Sequence, residues 1–246
     1  MVGGAAAGDA IARAHRLPSL RVGLHLVLVD GEPVLPPERI PDLVDAQARL
    51  RRDVATAAIG MFVRPSVRRQ LAAEIEAQFR AYRATGLALD HVNVHHHLHV
   101  HPTVGAQLLA IGRRYGMRAV RVPWEAPEVL TGIDPGHRYR RNWLVAPWVA
   151  LLRRRVRRLG LTAPDQVFGL AWSGAMTELR LAGLLRQLPD GLTEIYAHPA
   201  IDARFAGAAD GYRYAEELAA LTAPGVQDQL HASGARSGGF ADFRRT

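Results

Sequence analysis

The sequence predicts an α/β fold with parallel strands inside and helices packed around them, and three observations lead there. Short β-like runs alternate along the chain with longer segments of helical periodicity. Gly86, Gly116, Gly160 and Gly191 each stand where a helical pattern gives way to the next strand or loop, which is where helices end. Of the 246 residues, 48% are hydrophobic, enough to bury one sizeable core.

Taken in order, the run at 20–29 (LRVGLHLVLV) reads as the first strand and 67–83 as a helix. The run at 89–100 reads as a second strand, 104–115 as a helix and 119–122 as a short strand. An arginine-rich helix is expected at 148–159, a helix at 177–187, a strand at 192–196 and a helix at 215–221. With no linker or internal repeat in view, 1–224 is expected to form a single domain. The small, polar stretch 225–246 is expected to be a flexible tail.

Composition narrows the chemistry. Without cysteine there are no disulfides and no thiolate metal sites, so a transition-metal site has to come from carboxylates and the 11 histidines. No uninterrupted apolar run approaches the ~18 residues of a membrane span, and the N-terminal stretch lacks signal-peptide character, so a cytoplasmic protein is expected. The net charge of +8 is concentrated between His137 and Arg158, a stretch with eight arginines and no acid. Elsewhere 23 basic and 23 acidic residues balance, which argues against a basic nucleic-acid-binding body.

The stretch LDHVNVHHHLHVHP at 89–102 is the most informative. His91, Asn93, His95, His97, His99 and His101 all occupy odd positions, so a continuous strand would put them on one face. Crowded neutral imidazoles each need hydrogen-bond partners, whereas a bound cation takes them directly as nitrogen ligands. His25 interrupts the apolar run of the first strand and is a second candidate ligand.

Three segments carry a family resemblance. Gly23-Leu24-His25-Leu26 is similar to the G-[LM]-H motif of YdjC-like carbohydrate deacetylases, and the stretch from His91 to His99 resembles their H-x-[DN]-x-H-x-H-x-H motif. The stretch from Thr193 to Pro199 resembles T-E-x-x-x-H-P, with Trp172-Ser173-Gly174 resembling the segment before it. The likeness is strongest to the branch associated with hopanoid biosynthesis, in the histidine stretch, the arginine-rich helix and FGLAWSG at 168–174.

The resemblance implies a TIM-like (β/α) barrel, irregular and seven-stranded, here without its first strand. It implies a divalent metal, magnesium or zinc, held by His25 and His95, with His198 as general acid or, alternatively, as a histidine fixing the loop before Pro199. The family's A-D-D-F-G segment, source of the metal-binding and base aspartates, has no counterpart in the chain, and the expectation is an N-terminal truncation. His97 and His99 are expected near the metal or the sugar. Arg121 either reaches a substrate oxygen or serves as a structural ion-pair partner. The expected substrate is an acetylated amino sugar, an N-acetylglucosaminyl hopanoid lipid or a soluble chito-oligosaccharide; a noncatalytic metal- or lipid-binding remnant is the alternative from another class.

The segment 138–158, opening on Arg138 and closing on Arg158, sets arginines beside Trp143 and Trp148. That composition fits peripheral contact with an anionic membrane surface. An ordinary helix with a solvated arginine face is the alternative, and no nucleic-acid recognition motif is present.

Overall fold

The computed structural model describes residues 1–136, 145–205 and 207–243. They divide into two compact units. The first combines Met1–Arg121, Val145–Ala163 and the segment from Gly238; the second combines the segment beginning at Val122 with Pro164–Ser237.

In the first unit, α1 (Ala7–His15) precedes β1 (Leu24–Leu26), followed by α2 (Val54–Val63), α3 (Pro65–Ala84), β2 (Val92–Val94), α4 (Pro102–Arg114) and α6 (Ala146–Arg158). β1 and β2 pair in parallel, with His25 opposite Asn93. Parallel bridges Val92↔Val120 and Ala119↔Thr162 extend this order to two further stretches of chain. Leu24, Leu26, Val92 and Val94 are buried, as fits a sheet covered by helices. α3 lays Val67, Leu71, Ile75 and Phe79 into this core at the four-residue spacing of one helix face.

The loop leaving β1 is held by α3 through buried polar side chains. Gln78 accepts from the Val27 N–H at 3.0 Å and donates to the Val27 carbonyl at 2.6 Å. One turn earlier, Glu74 accepts from the N–H groups of Val34 and Leu35 at 2.9 and 3.0 Å.

In the second unit, α5 (Pro127–Ile133), β3 (Gln166–Phe168), α7 (Glu178–Arg186), β4 (Thr193–Ile195), α8 (Tyr214–Thr222) and α9 (Pro224–Ala232) follow in order. β3 and β4 are parallel, and the Val167 N–H donates to the Trp124 carbonyl at 2.7 Å. Phe168, Trp172, Leu181, Leu184, Ala220 and Val226 form the core.

Alternation of helix and parallel strand is therefore as the sequence predicts, but the regular strands are short. The named sheets among the described residues have two strands each. The run expected to be one strand over 89–100 ends at Val94, and a 3-10 segment, His95–Val100, follows. His96 and His97 both take left-handed backbone, φ 53, which breaks the two-residue alternation. Gly105 permits this turn to rest on α4, since a Cβ there would lie 2.5 Å from the His99 carbonyl oxygen.

The stretch expected as a loose tail carries α9, with Val226 buried, and a 3-10 turn, Phe240–Phe243, packed within the first unit. α1, α2 and α5 have no counterpart in the sequence reading. On α6, Val149, Leu152 and Val156 are buried while Arg154, Arg157 and Arg158 are exposed. The membrane-contact expectation at 138–144, including Arg138 and Trp143, lies outside the described residues.

Candidate metal and catalytic site

Because β1 and β2 run in parallel and in register, the first supplies His25 and the second releases His95 one residue beyond its end. The His25 Nε2 and His95 Nδ1 atoms are 3.4 Å apart, and the rings meet edge-on with centroids 5.5 Å apart. The other ring nitrogen of His25, Nδ1, is 2.5 Å from the Asn93 side-chain oxygen. An amide oxygen only accepts, so this contact assigns the proton to Nδ1 and leaves the Nε2 lone pair facing His95.

A carboxylate comes to His95 and His96 from the loop after β1. Asp30, in left-handed backbone at φ 48, places Oδ2 3.7 Å from His96 Nε2. One donor atom from each of Asp30, His95 and His96 lies within 4.8 Å of the others. His95 thus stands between two potential partners, with His25 on one side and His96, centroid 4.1 Å away, on the other. This donor set suits a divalent cation: imidazole and carboxylate, with no thiolate needed.

Burial is the leading cause that pushes His25 and His97 down to about 3 and His99 to about 4. The Arg121 guanidinium lowers all three further. Such imidazoles are neutral near pH 7, the form in which their nitrogens can bind a cation.

Arg121 is itself buried, and its carbonyl accepts from His99 Nε2 at 2.8 Å. His99 therefore ties the 3-10 segment to the backbone of the neighbouring extended stretch. His91 and His101 turn elsewhere: His91 to Asp90 at 2.9 Å, and His101 to the ring of Phe62, with centroids 5.8 Å apart. The single histidine face expected over 91–101 does not continue past Val94, because His96 and His97 take left-handed backbone.

His198 belongs to the second unit, just beyond β4. Its backbone N–H donates to Glu217 at 2.5 Å, and the same buried carboxylate accepts from the Met176 N–H at 2.8 Å. The His198 ring lies 5.1 Å from that of Tyr212, whose hydroxyl is 2.7 Å from Ser173 Oγ. The stretches around Ser173 and His198, noted separately in the sequence, thus share one neighbourhood. Glu125 accepts the N–H groups of Gly169, Leu170 and Ala171, and burial still raises its pKa.

Sequence reasoning missed Asp30, the orienting contact from Asn93, and the Tyr212–Glu217 support of His198. Asp30 had a signal: it breaks the apolar run five residues after His25 and precedes a glycine. Glu217 had none, being one of two adjacent acids on a surface-like helix pattern.

The chain is 27% identical to a carbohydrate deacetylase of Geobacillus stearothermophilus over 229 residues, covering 92% of this chain and 77% of that protein. It is 29% identical to a carbohydrate deacetylase of Homo sapiens, covering 95% and 78% respectively. Against a carbohydrate deacetylase of Brevibacillus brevis the identity is 35% over 117 residues, and the match spans 43% of that protein's length. A crystal structure described as a cellobiose-phosphate cleavage protein from Enterococcus faecalis V583 shares the fold, with TM-score 0.75 over 100% of this chain and 86% of the other at 19% identity. The family described as YdjC-like protein matches residues 1–232, which take in all three histidine motifs, and this chain belongs to that family.

Proposed function

We propose that the chain is a carbohydrate deacetylase, a metal-dependent hydrolase that removes the N-acetyl group from an amino sugar. The observation that carries this reading is the facing pair of imidazoles, His25 and His95, 3.4 Å apart, with His25 kept neutral by burial and the Asp30 carboxylate beside His95 and His96. Magnesium or zinc bound there would supply Lewis acidity toward an amide carbonyl and acidify a water molecule. His25 and His95 serve as ligands, and Asp30 supplies the carboxylate. Arg121 and His97 meet the substrate, with His99 holding the Arg121 backbone in place. His198 protonates the departing amine, its loop fixed by Glu217.

Parallel strands that alternate with helices within each unit support an irregular (β/α) barrel as the architecture. An N-acetylglucosaminyl hopanoid lipid is the proposed natural substrate, with α6 resting on a membrane surface. Trp148, 42% exposed on the helix that also exposes Arg154, Arg157 and Arg158, favours that over a soluble chito-oligosaccharide.

The test is metal content and acetate release on both substrates, with His95→Ala beside the parent. The parent should bind a divalent ion and release acetate, and His95→Ala should lose both. Full metal binding by His95→Ala, or no acetate from either substrate, would overturn the reading.

A further inference from the structure

The orienting contact on His25 does not end at Asn93. Asn93 Nδ2 lies 3.5 Å from His91 Nε2, and His91 Nδ1 lies 2.9 Å from Asp90 Oδ2. The buried Asp90 carboxylate also accepts the N–H groups of Phe240 and Ala241, at 3.0 and 2.9 Å. The Phe240 ring stacks on that of His91 with centroids 4.5 Å apart, and Arg21 pairs with Asp242 at 2.7 Å. All of these groups lie in the first unit.

The chain of contacts has one consistent direction. A carboxylate accepts, so His91 keeps its proton on Nδ1 and turns a lone pair on Nε2 toward Asn93. That lone pair takes the Asn93 Nδ2–H, which sets the amide with its oxygen toward His25. The oxygen then holds the His25 proton on Nδ1, leaving Nε2 bare toward His95. Were Asn93 turned over, its NH2 would face His25 Nδ1 and the proton would move to Nε2, closing that nitrogen to a cation.

We propose that the C-terminal turn Phe240–Phe243 and Asp90 set the tautomer of His25 through the directed chain Asp90–His91–Asn93–His25. These are positioning residues, and the inference rests on the reading of His25 as a metal ligand. Outer partners of this kind commonly change metal affinity ~10-fold to 100-fold when removed.

The experiment records two-bond nitrogen–proton correlations of the imidazoles in the metal-free, histidine-labelled full chain, then zinc affinity by calorimetry. In the parent, His25 should carry its proton on Nδ1. His91→Phe keeps a ring against Phe240 but cannot accept from Asn93. Asp242→Ala, remote from the site, loosens the turn and serves should His91→Phe fail to fold. In either variant the Nε2–H form of His25 should appear, and zinc affinity should fall by about 10-fold.

An Nε2–H form in the parent, or an unchanged His25 tautomer in folded His91→Phe or Asp242→Ala, would overturn the proposal. A parent that binds no zinc yet shows the tautomer shift would sink the metal reading and leave the positioning chain standing.

Discussion

His95 is shared by both donor groupings, and Asp30 distinguishes them. If Asp30 supplies the carboxylate, Asp30→Asn should weaken divalent-metal binding by at least ~10-fold, a loss measurable by calorimetric titration, while leaving the melting temperature nearly unchanged. The stability part follows from exposure: Asp30 is a surface residue whose pairing with Arg52 is solvated and contributes little. Unaltered metal affinity would return the site to His25 and His95 without Asp30. That His25 and His95 would come together was legible in the sequence, because His25 lies within β1 and His95 directly follows β2, its parallel partner. What could not be read was which histidines the turn would carry away, since alternation tells faces apart only while the backbone stays extended.

The break after Val94 is the main departure from the expected secondary structure. Nothing in the residue types of 95–100 forbids a strand, and histidine is among the residues that tolerate left-handed backbone. The decisive neighbour is Gly105, far enough along that local patterning does not include it. Gly105→Ala would set a methyl group 2.5 Å from the His99 carbonyl oxygen. Since backbone has to move, the substitution should cost about 1–3 kcal/mol, read from denaturant midpoints. It should also disturb the His99–Arg121 contact; a wild-type midpoint would show that the 3-10 segment yields easily.

The arginines of α6 are a separate matter. Replacing Arg154, Arg157 and Arg158 with glutamine, and sparing Arg155 for its bond to the Pro102 carbonyl, removes exposed charge without touching the fold. At ~1 kcal/mol per arginine near an anionic surface, vesicle binding should fall by well over 10-fold at low salt. Acetate release from a soluble acetylated sugar should be spared. Equal binding by the variant would make the arginines an ordinary solvated face.

Acid sensitivity belongs to the molecule as a whole. His25, His97 and His99 are held below the usual histidine value of 6.5, so the folded chain refuses protons that the unfolded chain accepts. Stability is therefore fully present above about pH 6.5 and falls as the pH drops toward about 4 to 3. The metal-free protein should lose on the order of several kcal/mol across that window, as urea midpoints taken at successive pH values would show. His99→Leu should flatten the slope; an unchanged slope would place the sensitivity elsewhere. Helix and parallel-strand alternation was legible at this level, but the division into two units was not, because each unit is assembled from stretches far apart in sequence.

The hold of Phe240 and Ala241 on Asp90 joins residues 150 and 151 positions apart. A chain made from its N-terminus forward exposes β2 and its histidines long before that turn exists. The first unit is thus last to be completed as well as first to be made, and its final latch arrives only after the whole second unit has been synthesised. A stop codon or protease cut just before Gly238 would spare every histidine named here yet leave Asp90 without its two backbone donors, so the integrity of the C-terminus becomes a condition for a properly oriented His25.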